Sequence, residues 1–142
     1  MTNDNAECQF ALDPQMEQDT RFITRLALSR VLLMNDARYP WVILVPERTC
    51  AVEIIDLGET DRAMLLAEIC QVSEALRQLH RPHKLNVAAL GNQVRQLHIH
   101  VIARQTDDAA WPGPVWGVGT ATPYEEYEAA ERIGAIRAAL SQ

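Results

Sequence analysis

The chain has 142 residues, 48% of them hydrophobic and 23% charged, which is the size and composition of one globular domain. Its net charge of −6 and its lack of any run of Lys and Arg argue against DNA or RNA as a partner, because a long phosphate backbone requires a basic surface. The odd number of cysteines, with no CxxC spacing among Cys8, Cys50 and Cys70, indicates reduced thiols in the cytoplasm and not a disulfide framework.

The N-terminal part of the chain predicts a short helix followed by strands. Residues 1–9 are polar and acidic, so we expect a loose tail and no signal peptide. Asp13 followed by Pro14 is typical of a helix start and predicts a helix over 14–20. Turn residues separate three apolar runs that predict an antiparallel meander: 30–34, 41–45 and 51–55. No apolar run reaches the roughly 18 residues that cross a bilayer, so we expect no membrane partner.

The clearest helix lies in the middle of the chain and ends before Pro82. Its apolar residues follow one helical face: Leu65, Ile69, Val72, Leu76 and Leu79. Two further strands are predicted, 85–90 and 94–104. Thr122 and Glu125 have the spacing of a capping box with Pro123 between them, which predicts a C-terminal helix within 120–142. The fold class is therefore α+β, an antiparallel meander with one long central helix and a C-terminal helix in a single domain.

The most informative stretch is a predicted strand on which polar and apolar residues alternate. The polar residues are Gln96, His98 and His100, and the apolar residues are Leu97, Ile99 and Val101. Because side chains alternate faces along a strand, the apolar residues should face the core and the polar residues should share the opposite face. Near neutral pH one imidazole can act as a nucleophile while its neighbour supplies a proton. Two exposed histidines without a role, or a metal-binding pair, are the other interpretations.

The stretch 96–102 resembles the motif of the histidine triad family, in which three histidines alternate with hydrophobic residues. The resemblance extends from about Phe10 to Trp116 and includes the runs 32–35 and 40–46. It implies an antiparallel sheet with two helices, usually in a homodimer. It also implies an enzyme, a hydrolase or a nucleotidyl transferase, that cleaves a phosphorus bond of a small nucleotide conjugate. The conjugate would be a nucleoside phosphoramidate or a dinucleoside polyphosphate.

The same resemblance implies catalytic roles for the polar row. The family's middle histidine is the nucleophile, which corresponds to His98, and the third contacts the phosphate and leaving group, which corresponds to His100. We expect Nδ1 of His98 to donate to the backbone carbonyl of Gln96, so that Nε2 can attack phosphorus and form a nucleotidyl-histidine. This route needs no cofactor and no metal on the protein, and Mg²⁺ would enter only with the phosphates of a polyphosphate substrate.

The resemblance also implies nucleotide-binding residues outside the polar row. Asn35, with Asp36 as the alternative, matches the family's ribose contact. Asn92 and Gln93 match the loop that contacts the phosphate. The stiff apolar loop 111–116 could cover this site, reach a partner subunit's site or pack on its own sheet.

Three positions depart from the family's pattern and make the site less cationic. Gln96 occupies the first triad position, and Trp41 and Thr49 stand where family members often have a histidine. Two alternative functions therefore stay open. One is a nucleotide-binding or sensing protein with little activity. The other is a metal-dependent hydrolase that uses His98 and His100.

Overall fold

A computed structural model describes residues 9–142, so all of the predicted loose tail except Gln9 lies outside the described residues. The helices and strands are α1 (Pro14–Asp19), β1 (Thr20–Arg25), β2 (Ser29–Met34), β3 (Trp41–Pro46), α2 (Glu59–His80), β4 (Lys84–Ala88), β5 (Ile99–Arg104) and α3 (Glu126–Leu140). The five strands form one antiparallel sheet in the order β1-β2-β3-β5-β4. The predicted α+β class is confirmed.

The predicted strands at 30–34, 41–45 and 85–90 correspond to β2, β3 and β4, whereas one strand was missed and one was wrongly predicted. β1 was not predicted, and only Ile23 of its six residues is buried, so the apolar pattern is weak. The predicted strand at 51–55 is wrong, because the chain there forms a 3₁₀ turn at Ile54–Asp56. The carboxylate of Asp56 accepts the backbone N–H groups of Val52 and Glu53, and these are donors that a strand would use for pairing.

The long helix ends before Pro82 as predicted, whereas the C-terminal helix begins after the predicted capping box. α2 ends at His80, and the C-cap residue Arg81 has a left-handed φ of 44°, which reverses the chain before Pro82. The predicted capping box at Thr122 is wrong, because residues 122–124 are bound to the turn after β2. Ala37 donates to the carbonyl of Thr122 and the N–H of Tyr124 donates to the Asn35 side chain. Between residues 9 and 142, no helix is long and apolar enough to cross a membrane.

The sheet has a different core on each face. On one face α2 and α3 pack against buried residues that include Ile23, Val31, Val42, Leu44, Leu97, Ile99 and Val101. On the other face lie Met16 of α1 and buried residues that include Leu32, Tyr39, Trp41, Ile43, Ile102 and Val115. Leu97, Ile99 and Val101 thus face the helices as predicted. Each fully buried side chain of this kind contributes about 1.5–3 kcal/mol to folding, so the face of β5 is firmly fixed.

Candidate active site

The two histidines lie at the beginning of β5, on a rigid part of the sheet. β5 begins at Ile99, so the predicted strand over 94–104 is too long and His98 lies just before it. His98 is 7% exposed and His100 is 4% exposed. Their ring centroids are 5.0 Å apart with the rings nearly perpendicular. Two imidazoles are therefore held side by side at one point of the sheet surface.

The ring of His98 is fixed by the backbone two residues before it. Its Nδ1 lies 2.7 Å from the carbonyl oxygen of Gln96. A carbonyl oxygen can only accept, so Nδ1 carries a proton, and in the neutral form of the ring the lone pair is on Nε2. Among the described residues, the one side-chain hydrogen bond of His98 is made through Nδ1, and Nε2 has no partner. The predicted contact between His98 and the Gln96 carbonyl is confirmed.

The ring of His100 is fixed by a side chain on the neighbouring strand. Its Nδ1 accepts a hydrogen bond of 2.9 Å from the indole Nε1 of Trp41. Burial lowers the pKa of His100 to about 3, and the charge of the adjacent His98 contributes in the same direction. His100 is therefore uncharged near neutral pH, so it offers no positive charge to a phosphate.

Both histidines line a cavity of about 450 Å³ that also contains the predicted phosphate loop. Asn92 and Gln93 lie on its wall, and both side chains are exposed. Gly91 has a φ of +87°, a conformation that favours glycine and turns the chain from β4 toward this loop. The structure thus brings together the two imidazoles and two side-chain amides, and the amides of Asn92 and Gln93 can donate hydrogen bonds to an anion.

The predicted ribose residues lie in an adjoining cavity of about 410 Å³. The two cavities share walls that include Asp19, Trp116 and Gly117. The side-chain oxygen of Asn35 accepts the backbone N–H of Tyr124 at 3.1 Å. The hydrogen bond from Tyr124 therefore orients the Asn35 side chain, which lines the adjoining cavity and not the histidine cavity.

Asp36 is held in an ion pair within the same adjoining cavity. Its carboxylate is 2.9 Å from Arg38 and also accepts the backbone N–H groups of Arg38 and Thr122. Burial alone would raise the pKa of Asp36, but these hydrogen bonds outweigh it and hold the pKa below its usual range. The carboxylate is thus ionised and already hydrogen-bonded within the protein. The guanidinium of Arg38 donates to this carboxylate and to the carbonyl of Val118.

The side chain of Gln96 serves the fold and not the cavity. Its Nε2 donates to the carbonyl of Ala11 at 2.8 Å, and its Oε1 accepts the N–H of Asp13 at 2.9 Å. The amide therefore connects the approach to β5 with the segment before α1. Only the backbone carbonyl of Gln96 contacts His98.

Trp41 stands at a position where family members often have a histidine, and its contact with His100 was not predicted. The role of the loop 111–116 was left open. The Trp116 ring lies 5.0 Å from His100 and 5.8 Å from Trp41, centroid to centroid, and packs nearly edge-on against both. The loop thus packs on its own sheet while Trp116 forms part of the cavity wall. Within residues 9–142, no group of three or more His, Cys, Asp and Glu side chains is placed to hold a metal.

Comparisons of sequence and of structure with known proteins indicate the same family. The HIT domain model matches residues 15–107. A histidine triad protein from Bradyrhizobium japonicum is 49% identical with a TM-score of 0.91, covering 93% of this chain and 98% of that one. A histidine triad protein from Marinobacter aquaeolei VT8 is 42% identical with a TM-score of 0.92, covering 94% of this chain and 98% of that one.

A more distant structure shares the fold alone. The diadenosine triphosphate hydrolase of Plasmodium falciparum is 15% identical with a TM-score of 0.63, and the match covers 99% of this chain and 89% of that one. No curated protein matches the chain in sequence.

Proposed function

Because the chain belongs to the HIT domain family, whose members bind nucleotides and are often hydrolases or transferases, we propose that it cleaves a phosphorus bond in a nucleotide conjugate. The single observation that carries the proposal is the geometry of His98, which has Nδ1 on a carbonyl and Nε2 without a partner beside a cavity. The substrate would be a nucleoside phosphoramidate or a dinucleoside polyphosphate.

In this mechanism His98 forms a covalent intermediate. Its Nε2 lone pair attacks phosphorus, an N–P bond forms, and the bond from phosphorus to the leaving group breaks. The leaving group takes a proton from solvent or from a neighbouring donor. The imidazole becomes cationic while phosphorus is attached, and the Gln96 carbonyl stabilises this charge through Nδ1–H. Water then attacks phosphorus, breaks the N–P bond and releases the nucleotide, so that one difficult step becomes two easier ones.

The remaining polar groups of the cavity would stabilise the phosphate oxygens. His100, Asn92 and Gln93 line the same cavity as the nucleophile. Donors fixed before the reaction stabilise charge that develops on these oxygens, which is commonly the largest contribution to catalysis. We align Gln96 with the first triad position and assign its function to the backbone carbonyl, which any residue would supply.

We place the nucleoside in the adjoining cavity. Asn35, or Asp36 as the alternative, would contact the ribose there. The shared walls of the two cavities support this position, since a ligand could extend from one to the other past Trp116. The side-chain oxygens of both residues are hydrogen-bonded, and a ribose hydroxyl would have to use a remaining lone pair.

We propose that the protein works as a homodimer in the cytoplasm without a resident cofactor. β4 is an edge strand, and Val87 on it and Leu90 after it are each 49% exposed. An exposed apolar edge is available for pairing with a second copy. Two free and exposed thiols, Cys50 and Cys70, support a reducing location. Light scattering that gave the mass of a single chain at micromolar concentration would contradict the dimer.

The decisive experiment is detection of the covalent intermediate. Turnover of an adenosine phosphoramidate, quenched with base, should leave an adenylyl group on the peptide that contains His98. An adduct on His100 would contradict the mechanism. His98→Ala should abolish turnover and the adduct and leave the circular dichroism spectrum unchanged, because the ring lies at the cavity and outside the helix-side core.

The second candidate function is nucleotide binding or sensing with little turnover. The observation in its favour is the cavity wall, on which none of the described residues is Lys or Arg. A nucleotide that raises the melting temperature while the phosphoramidate is not turned over would favour it. A metal-dependent hydrolase would instead lose activity on dialysis against a chelator and regain it with zinc.

A further inference from the structure

Trp41 and His100 lie on neighbouring strands and on the same face of the sheet. Trp41 pairs with Ile102 and His100 pairs with Ile43, so the two rings are diagonal neighbours. Their centroids are 5.7 Å apart, and the indole N–H points to Nδ1 of His100 at 2.9 Å. Trp41 is 5% exposed, so its N–H is shielded from bulk water and finds its partner in this imidazole.

The direction of this hydrogen bond is fixed by chemistry. An indole N–H can only donate, so Nδ1 of His100 must present a lone pair. A neutral imidazole with a lone pair on Nδ1 carries its proton on Nε2. Protonating His100 would place a second N–H against that of Trp41 in a buried position, which costs the hydrogen bond and leaves two donors facing each other.

We propose that Trp41 is a positioning residue that holds His100 as a neutral ring with its proton on Nε2. His100 is thereby a hydrogen-bond donor to a phosphate oxygen, and it is neither a cation nor a base. Donation to a phosphate oxygen rests on the proposed function. The position of the proton on His100 does not, because it is a property of the protein without substrate.

The other groups around His100 are compatible with this role. The titratable side chains that line its cavity are His98 and Asp19. Trp116 packs on His100 at 5.0 Å, but no hydrogen bond joins the two in the described structure. From the sheet, Ile43 on β3 and Ala88 on β4 pair with His100 and carry no charge. Trp41 is therefore the single described side chain that reaches Nδ1.

The state of His100 can be measured directly by ¹⁵N–¹H correlation NMR of the imidazoles. In the wild-type protein we expect the Nε2–H form of His100 throughout pH 5–8. In Trp41→Phe, which retains an aromatic ring but not the donor, we expect a mixture of the two neutral forms and protonation of His100 at a higher pH. Trp116→Phe is the matched control, since it alters a ring in contact with His100 without removing a hydrogen bond, and it should leave the Nε2–H form unchanged.

Two spectroscopic results would overturn the proposal. One is a wild-type His100 that carries its proton on Nδ1 or is protonated at pH 6, a result that does not depend on whether Trp41→Phe folds. The other is a folded Trp41→Phe protein whose His100 spectrum matches the wild type. Neither result bears on whether His98 forms an adduct, so failure of this proposal and failure of the proposed function are distinguishable.

Kinetics supply an independent measurement. If His100 must donate through Nε2, Trp41→Phe should lower kcat about tenfold and add a pH-dependent phase between pH 5 and 7 that the wild type lacks. A uniform loss of activity with an unchanged pH profile would show that Trp41 acts through packing alone and would overturn the positioning role.

Discussion

The carbonyl oxygen of Gln96 lies 2.7 Å from Nδ1 of His98, while the side-chain amide of the same residue is bonded to Ala11 and Asp13. One residue thus has two separable functions. Its backbone carbonyl orients the ring of His98, the proposed nucleophile. Its side-chain amide binds the segment that contains Ala11 and Asp13. Substitution of the side chain leaves the first function in place.

We therefore expect Gln96→Ala to affect stability more than chemistry. Loss of two hydrogen bonds should lower the free energy of unfolding by about 1–2 kcal/mol. Turnover of an adenosine phosphoramidate should remain far above that of His98→Ala, and Gln96→His should be tolerated. The measurements are denaturant unfolding and kcat/KM. A Gln96→Ala protein that is folded and as inactive as His98→Ala would show that the amide itself is essential.

His100→Ala should slow turnover without abolishing it. The substitution removes one proposed donor to the phosphate, whereas Asn92 and Gln93 remain on the cavity wall. Loss of one such donor costs about 10²–10³ in kcat. Single-turnover kinetics should still show the adduct on His98, formed more slowly. Turnover at the wild-type rate would contradict a role for His100 in the reaction.

The stability of the protein should decrease below pH 6.5, in part because of His100. The pKa of His100 is about 3 in the folded protein, lowered from 6.5 by burial and then by His98. Between these values the unfolded chain binds a proton that the folded protein does not, so this contribution is complete above pH 6.5 and is lost as the pH falls. Between pH 7 and pH 5, wild type should lose about 2 kcal/mol more than His100→Gln. Equal losses in the two proteins would contradict the lowered pKa.

A singly charged substrate should be preferred to a polyphosphate. Asp19 is the one acidic side chain among the described residues of the cavity wall, and that wall has no Lys or Arg. Each additional uncompensated negative charge is therefore unfavourable. Without Mg²⁺ we expect kcat/KM for an adenosine phosphoramidate to exceed that for diadenosine polyphosphates by at least about tenfold. Added Mg²⁺ should reduce the difference, and a preference for the polyphosphate without Mg²⁺ would contradict this account.

Arg104 provides a stability prediction at the far end of β5. The residue is 1% exposed, and its guanidinium is bound to Asp108 at 2.7 Å, to Asn86 and to the carbonyl of Gly113. Removing one partner of such a buried pair costs about 3–5 kcal/mol. Arg104→Met should therefore lower the melting temperature strongly, with a smaller loss in the double variant Arg104→Met/Asp108→Asn. A similar loss in both variants would show that the unpaired carboxylate is not the cause.

The sequence predicts an element well when the apolar residues of that element repeat with the period of a helix or a strand. β2, β3 and α2 have apolar runs or stripes that match their period, and the face of β5 follows from strict alternation around His98. β1 has one buried residue and lacks such a pattern. These successes and failures follow from how much apolar surface each element contributes.

The contacts that depend on distant residues could not be predicted from local pattern. The late start of α3 results from hydrogen bonds between residues 122–124 and the turn near Asn35, 89 positions away for Tyr124. The hydrogen bond from Trp41 to His100 joins residues 59 positions apart. Both require the register of the finished sheet, which is a property of the whole chain.

The three-ring cluster of Trp41, Trp116 and His100 also gives the protein an optical reporter. Indole emission depends on the polarity and quenching groups around the ring, and two of the three tryptophans lie at the proposed site. The third, Trp111, packs near His83, away from the cavity. Occupancy of the cavity should thus change the intrinsic fluorescence of the unlabelled chain, so that ligands can be titrated by light emission before any turnover assay is available.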